Sequence, residues 1–103
     1  MRFISREKRD YMADMGKRLN KVRKTKGVYV ADIENDLRMD RSALYTYEKG
    51  RSVIPPYVLK RLADYYGVPV GFFFGEVDEC KVRTKGGTVN IEMAPIILEP
   101  EGD

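Results

Sequence analysis

Histidine is missing from this 103-residue chain, and cysteine occurs once, at Cys80. Without histidine the chain lacks the commonest general base and the commonest metal-binding side chain. A lone cysteine can form neither an internal disulfide nor a cysteine-rich zinc site. Before a strand-like segment, Cys80 reads as structural rather than as a redox switch. No phosphate-cradling glycine loop is present, because Gly86-Gly87 has neither the spacing nor the flanks of one. The chain is therefore expected not to be an enzyme and to need no metal and no cofactor. No apolar run is long enough to span a bilayer. The start, Met1-Arg2-Phe3-Ile4-Ser5-Arg6-Glu7, turns polar before a signal-peptide core can form. A soluble cytoplasmic protein is expected.

What is abundant is charge, at 34% of residues, and it is unevenly distributed. Residues 1–75 hold 16 Lys+Arg against 9 Asp+Glu, a balance of +7, whereas residues 76–103 hold 3 against 7, a balance of −4. A basic body with an acidic tail favours a polyanionic partner for the body.

Apolar periodicity predicts a mainly α protein of five helices followed by a hairpin. Met12, Met15, Leu19 and Val22 form one face of a long helix over 5–26. Arg9, Lys17, Lys21 and Lys24 lie opposite, Ser5 is its N-cap and Gly27 its stop. A second helix over 30–37 carries Ile33 and Leu37. A third over 41–49 carries Leu44 and Tyr47 inward, with Asp40 as N-cap and Gly50 as stop. Pro56 opens a fourth helix to Tyr66, with Val58, Leu59, Leu62, Ala63 and Tyr66 inward. A short fifth covers 70–74. Beyond Gly75 the period drops to two: Cys80, Val82 and Thr84, then Val89, Ile91 and Met93, flank Gly86-Gly87. Strands over 80–85 and 88–93 are expected around that two-residue turn. Residues 95–99 can add an extended segment, and Glu101–Asp103 are expected to fray.

The layout carries a resemblance. Residues 14–75 resemble the helix-turn-helix domain of the phage repressor and Cro family, the Xre type. The matching residues are Arg23 and Gly27, then Ile33 and Leu37, then Met39-Asp40-Arg41-Ser42-Ala43-Leu44. Tyr47-Glu48-Lys49-Gly50-Arg51, Pro55, Leu59, Leu62-Ala63-Asp64 and Gly67-Val68 follow in register. The resemblance implies a sequence-specific regulator of transcription, a repressor, that binds a double-stranded DNA operator as a homodimer with the helix at 41–49 in the major groove. It places base contacts at Arg41, Ser42, Tyr45 and Thr46. Phosphate contacts fall to Tyr29, Lys49, Arg51 and Ser52, through helix N-termini and cations. Arg23 and Glu48 are implied to form a partly buried ion pair that orients the reading helix. Two-fold operators imply half-sites one helical turn apart, about 34 Å.

Three features depart from the family. The second helix usually starts with a pair whose glutamine touches phosphate; here the pair is Tyr29-Val30. A small alanine is usual where this chain has Glu34. Glycine is usual where this chain has Arg38, and left-handed backbone there is strained for arginine, so a differently wound turn is expected. These departures leave open a second reading, an antitoxin or a modulator that binds a protein partner such as a toxin. Two units are expected: the helix-turn-helix domain over 1–75 and an acidic hairpin tail over 76–103. A two-stranded hairpin is marginal alone, so it should pack on the fifth helix or pair with a second copy. The expected dimer interface is Phe72, Phe73, Phe74, Val82, Val89 and Ile91.

Overall fold

Long amphipathic stripes become helices here because each has a partner surface to bury against. A computed structural model of the chain describes residues 6–95. The elements are α1 (Arg6–Lys26), α2 (Val30–Leu37), α3 (Arg41–Glu48), α4 (Pro56–Tyr66), α5 (Val70–Phe74), β1 (Glu79–Thr84) and β2 (Gly87–Glu92). The expected Ser5 cap, the extension beyond Pro95 and the frayed end lie outside the described residues. No described helix is long and apolar enough to cross a membrane.

The stripe of α1 is buried as expected at Met12, Met15, Leu19 and Val22. Arg23, Lys24 and Lys26 close its last turn, where cations complement the helix dipole. The other helices add Ile33, Leu44, Leu59, Leu62, Tyr66, Phe72 and Phe73 to one continuous core. Tyr66, Phe72 and Phe73 meet edge to face, with ring centroids 6.0–6.4 Å apart, an arrangement the ring quadrupole favours.

Two glycines let α1 cross α3 closely. A Cβ on Gly16 would lie 2.6 Å from the Glu48 carbonyl oxygen and 2.8 Å from that of Tyr47. A Cβ on Gly50 would lie 2.8 Å from Ala13 Cα, and Gly50 also holds φ at 69°. Backbone therefore packs on backbone at this crossing, which fixes α3 against the longest helix.

The hairpin differs from expectation in two ways. Thr84 pairs with Gly87, so the turn residues are Lys85 and Gly86 and each strand starts one residue earlier than expected. The Thr84 hydroxyl closes this turn: it accepts from the Gly86 N–H at 3.2 Å and donates to the Gly87 carbonyl at 3.0 Å. The positive φ falls on Gly87, at 126°. Second, the hairpin does not rest chiefly on α5. β1 packs on α1, and Cys80, Val82 and Ile91 join the same core as the helices. The hairpin thus shares the helical core instead of building a second one. Burial pushes the Cys80 thiol above its ordinary pKa, which keeps it protonated and unreactive at neutral pH.

The join is made by a residue that periodicity gives no reason to single out. Arg18 lies wholly within the protein, and its guanidinium uses all five N–H donors. Nε donates to Asp14 at 2.9 Å. Nη1 donates to the carbonyls of Phe72 (2.8 Å) and Val77 (2.9 Å). Nη2 donates to Asp78 (2.9 Å) and to the Ala94 carbonyl (3.3 Å). The cation also stacks on Phe72, 4.9 Å from its ring centroid. One side chain thereby ties α1 to the end of α5, the α5–β1 connection and the exit of β2.

Candidate nucleic-acid interface

Helix α3 is anchored from three sides. Leu44 is buried and Tyr47 half-buried. Asp40 caps the N-terminus, its Oδ1 accepting from Ser42 N at 3.3 Å. At the other end, Glu48 is clamped to α1: Arg23 Nε donates to Oε2 at 2.7 Å, Arg23 Nη2 to Oε1 at 3.0 Å, and Asn20 Nδ2 to Oε1 at 2.8 Å. Arg23 Nη1 also reaches the Val28 carbonyl at 3.1 Å, so the same guanidinium holds the α1–α2 connection. Its hydrogen bond to Glu48 raises the Arg23 pKa further, so the charge is permanent. Asn20, the third partner, sits at a polar position that no motif marks.

This leaves Arg41, Ser42 and Tyr45 exposed on one face of α3, with Thr46 half-buried beside them. Two of them are already engaged. Thr46 Oγ1 donates to the Ser42 carbonyl one turn back, at 2.8 Å; its hydroxyl proton is therefore occupied, while its methyl and lone pairs remain available. Arg41 is held by Glu34 of α2 through Nη2···Oε1 at 2.9 Å, with a longer contact from Arg41 N to Oε2 at 3.3 Å. The residue that departs from the family's alanine is thus a clasp on the first residue of α3.

The turn between α2 and α3 keeps the family's left-handed shape. Arg38 takes φ 57° and ψ 46°, so the expected rewinding does not occur. The strain of roughly 1–2 kcal/mol for a side chain in this region is outweighed by packing on both sides. At the start of α2, Val30 is buried, so its methyls serve the core where a glutamine would face outward. Asp32 caps this helix start, its Oδ2 accepting from Tyr29 N at 2.8 Å.

Of the phosphate candidates, Tyr29, Lys49 and Arg51 are exposed. Ser52 is half-buried and lines an apolar cleft with Tyr11, Met12 and Phe74. Of the expected dimer residues, Phe72, Phe73, Val82 and Ile91 are consumed inside the protomer, because the core needs them to seat α5 and the hairpin on α1. They cannot also face a second copy. Phe74 (39% exposed) and Val89 (43%) stay at the surface.

Comparison with known proteins agrees with this arrangement. The family model described as "Helix-turn-helix domain" matches residues 16–75. Among solved structures, the DNA-binding domain of BldD is similar at a TM-score of 0.59 and 28% identity, covering 64% of this chain and 96% of that one. The BldD DNA-binding domain of S. venezulae is similar at 0.58 and 28% identity, covering 63% and 97%. No curated protein matches the sequence. The family match stops at Gly75, before the hairpin. It spans more than half of the 103 residues, and the chain belongs to the Xre-type helix-turn-helix family of transcription regulators.

Proposed function

We propose that the chain is a sequence-specific double-stranded DNA-binding regulator, acting in the cytoplasm as a repressor, that inserts α3 into the major groove. The observation that carries this is the exposed row Arg41, Ser42 and Tyr45, on a helix fixed at both ends by Asp40 and by the Arg23–Glu48 pair. Arg41 reads a guanine through O6 and N7. The exchange is favourable: an exposed ion pair such as Arg41–Glu34 is worth up to about 1 kcal/mol, whereas a bidentate arginine–guanine pair contributes about 1–3 kcal/mol of discrimination. Ser42 and Thr46 offer oxygen acceptors, and Thr46 a methyl for thymine. Tyr29, Lys49, Arg51 and Ser52 hold the backbone. The homodimer follows from the two-fold operators that the family resemblance implies. Phe74 and Val89 are the expected interface residues left at the surface for that contact, to be measured by sedimentation of the full chain.

Selection of the full chain against a random duplex library at low salt tests the reading. An enriched site is expected. Arg41→Ala should lose about 1–3 kcal/mol at one base pair and relax the preference there. Lys49→Ala should weaken binding to all sequences and lower the salt slope by about 1. If no sequence is enriched, the DNA reading fails and a protein partner such as a toxin takes its place.

A further inference from the structure

The outward side of the hairpin is sorted by charge along its length. At the end next to the α5–β1 connection, Glu79 faces Glu92 across the strands. Nearer the turn, Lys81 faces Asn90 and Arg83 faces Thr88, and Lys85 occupies the turn itself. Lys81, Arg83 and Lys85 are all exposed. Among the described residues none of the three is in an ion pair. Opposite charges directly across a sheet attract, so neutral partners at Asn90 and Thr88 leave these cations free for something outside the chain.

The turn end of the hairpin is also the end that adjoins the helix-turn-helix. Lys26, the last residue of α1, donates from Nζ to the Arg83 carbonyl at 3.2 Å. Lys26, Val28, Arg83, Thr84 and Lys85 line one shallow depression. Val28 lines a second as well, with Lys24 and Tyr29. A continuous surface therefore runs from Lys85 and Arg83 through Lys26 and Val28 to Tyr29, which caps α2 and is assigned above to phosphate. The carboxylates of the hairpin lie at its opposite end, away from this surface.

We infer that the hairpin turn is a second contact with the DNA backbone, in which Arg83 and Lys85 bind phosphates beside the segment entered by α3. The inference rests on the DNA reading above and adds to it an element that lies beyond the family match. It makes the tail electrostatically two-ended: its base faces solvent with carboxylates, while its tip extends the basic body.

The test uses the full chain and its selected duplex, with and without flanking base pairs. Each neutralised phosphate contributes about 0.9 to the slope of log K against log salt. Arg83→Gln/Lys85→Gln should flatten that slope by about 1.8 on the long duplex, with the same selected sequence and the same melting temperature. Trimming the flanks should abolish the difference between variant and wild type. An unchanged slope on the long duplex overturns the hairpin contact and leaves the α3 reading standing. A wild-type chain that binds no duplex at any salt removes the α3 reading and this inference together.

Discussion

Replacing Arg18 by alanine should release the hairpin from the helices. The substitution leaves the carbonyls of Phe72, Val77 and Ala94 without their donor and the carboxylates of Asp14 and Asp78 without their cation. Removing one partner of a buried ion pair costs about 3–5 kcal/mol. Asp78 has a side chain 40% exposed and can recover water, whereas Asp14, at 15%, recovers less, which places the cost near the lower figure. For a domain of this size about 1 kcal/mol corresponds to roughly 4–8 °C, so the melting temperature should fall by at least about 12 °C. Arg18→Lys keeps the charge but offers three donors where five are used; a loss of about 2 kcal/mol is expected, since each neutral hydrogen bond contributes about 1 kcal/mol. Thermal melts followed by circular dichroism measure the stability, and amide exchange locates the change. Cys80, Val82 and Ile91 should lose protection well before Leu44 or Leu62. A drop of less than about 4 °C for Arg18→Ala, or a uniform loss of protection, would show that the guanidinium does not bolt the hairpin to α1.

Three further outcomes follow from single positions. Gly16→Ala forces a Cβ to within 2.6 Å of the Glu48 carbonyl; because that neighbour is backbone, α3 must move. A loss of about 1–3 kcal/mol is expected from overpacking, and a melting temperature equal to wild type would contradict the close crossing. Arg38→Gly removes the Cβ strain of a residue at φ 57° and should raise stability by up to about 1 kcal/mol, with unfolded-chain entropy offsetting part of the gain; chemical denaturation reads the shift in midpoint, and a lower midpoint refutes it. The third concerns pH. Burial first, and the 2.6 Å hydrogen bond to Asp36 second, push the Tyr65 phenol up to about 12. A raised folded-state pKa stabilises the protonated form, so this contribution is whole below about pH 10, the unfolded value, and disappears as pH rises toward 12. Wild type should therefore lose more stability than Tyr65→Phe between pH 10 and 12, and parallel curves would contradict it.

Much of the candidate interface is local in character and was therefore open to reading along the chain. Whether a helix face is polar or apolar depends on neighbours three and four residues away, so the inward Leu44 and the outward Arg41, Ser42 and Tyr45 follow from spacing. The Glu34–Arg41 clasp joins residues only seven apart, across the turn. Glu34 was visible as a departure from the family but not as a partner, because the side chains' directions depend on how α2 meets α3.

By itself the sequence determined the five helices, the glycines that end four of them and the prolines that open α4 and α5, the hairpin and the family, because capping, turn chemistry and apolar period act within a few residues. The tertiary structure alone decided three other things. It placed Arg18 within reach of acceptors up to 76 residues away, so a cation in a basic helix became the most buried polar group of the described chain. It turned Gly16 from an unremarkable helical residue into the point where two backbones touch. It also spent Phe72, Phe73, Val82 and Ile91 inside the protomer, where their period had left a second copy equally open. The physical reason is the same in each case. An apolar or charged side chain carries its demand for burial or pairing in the sequence, but which surface meets that demand depends on the crossing of helices distant along the chain.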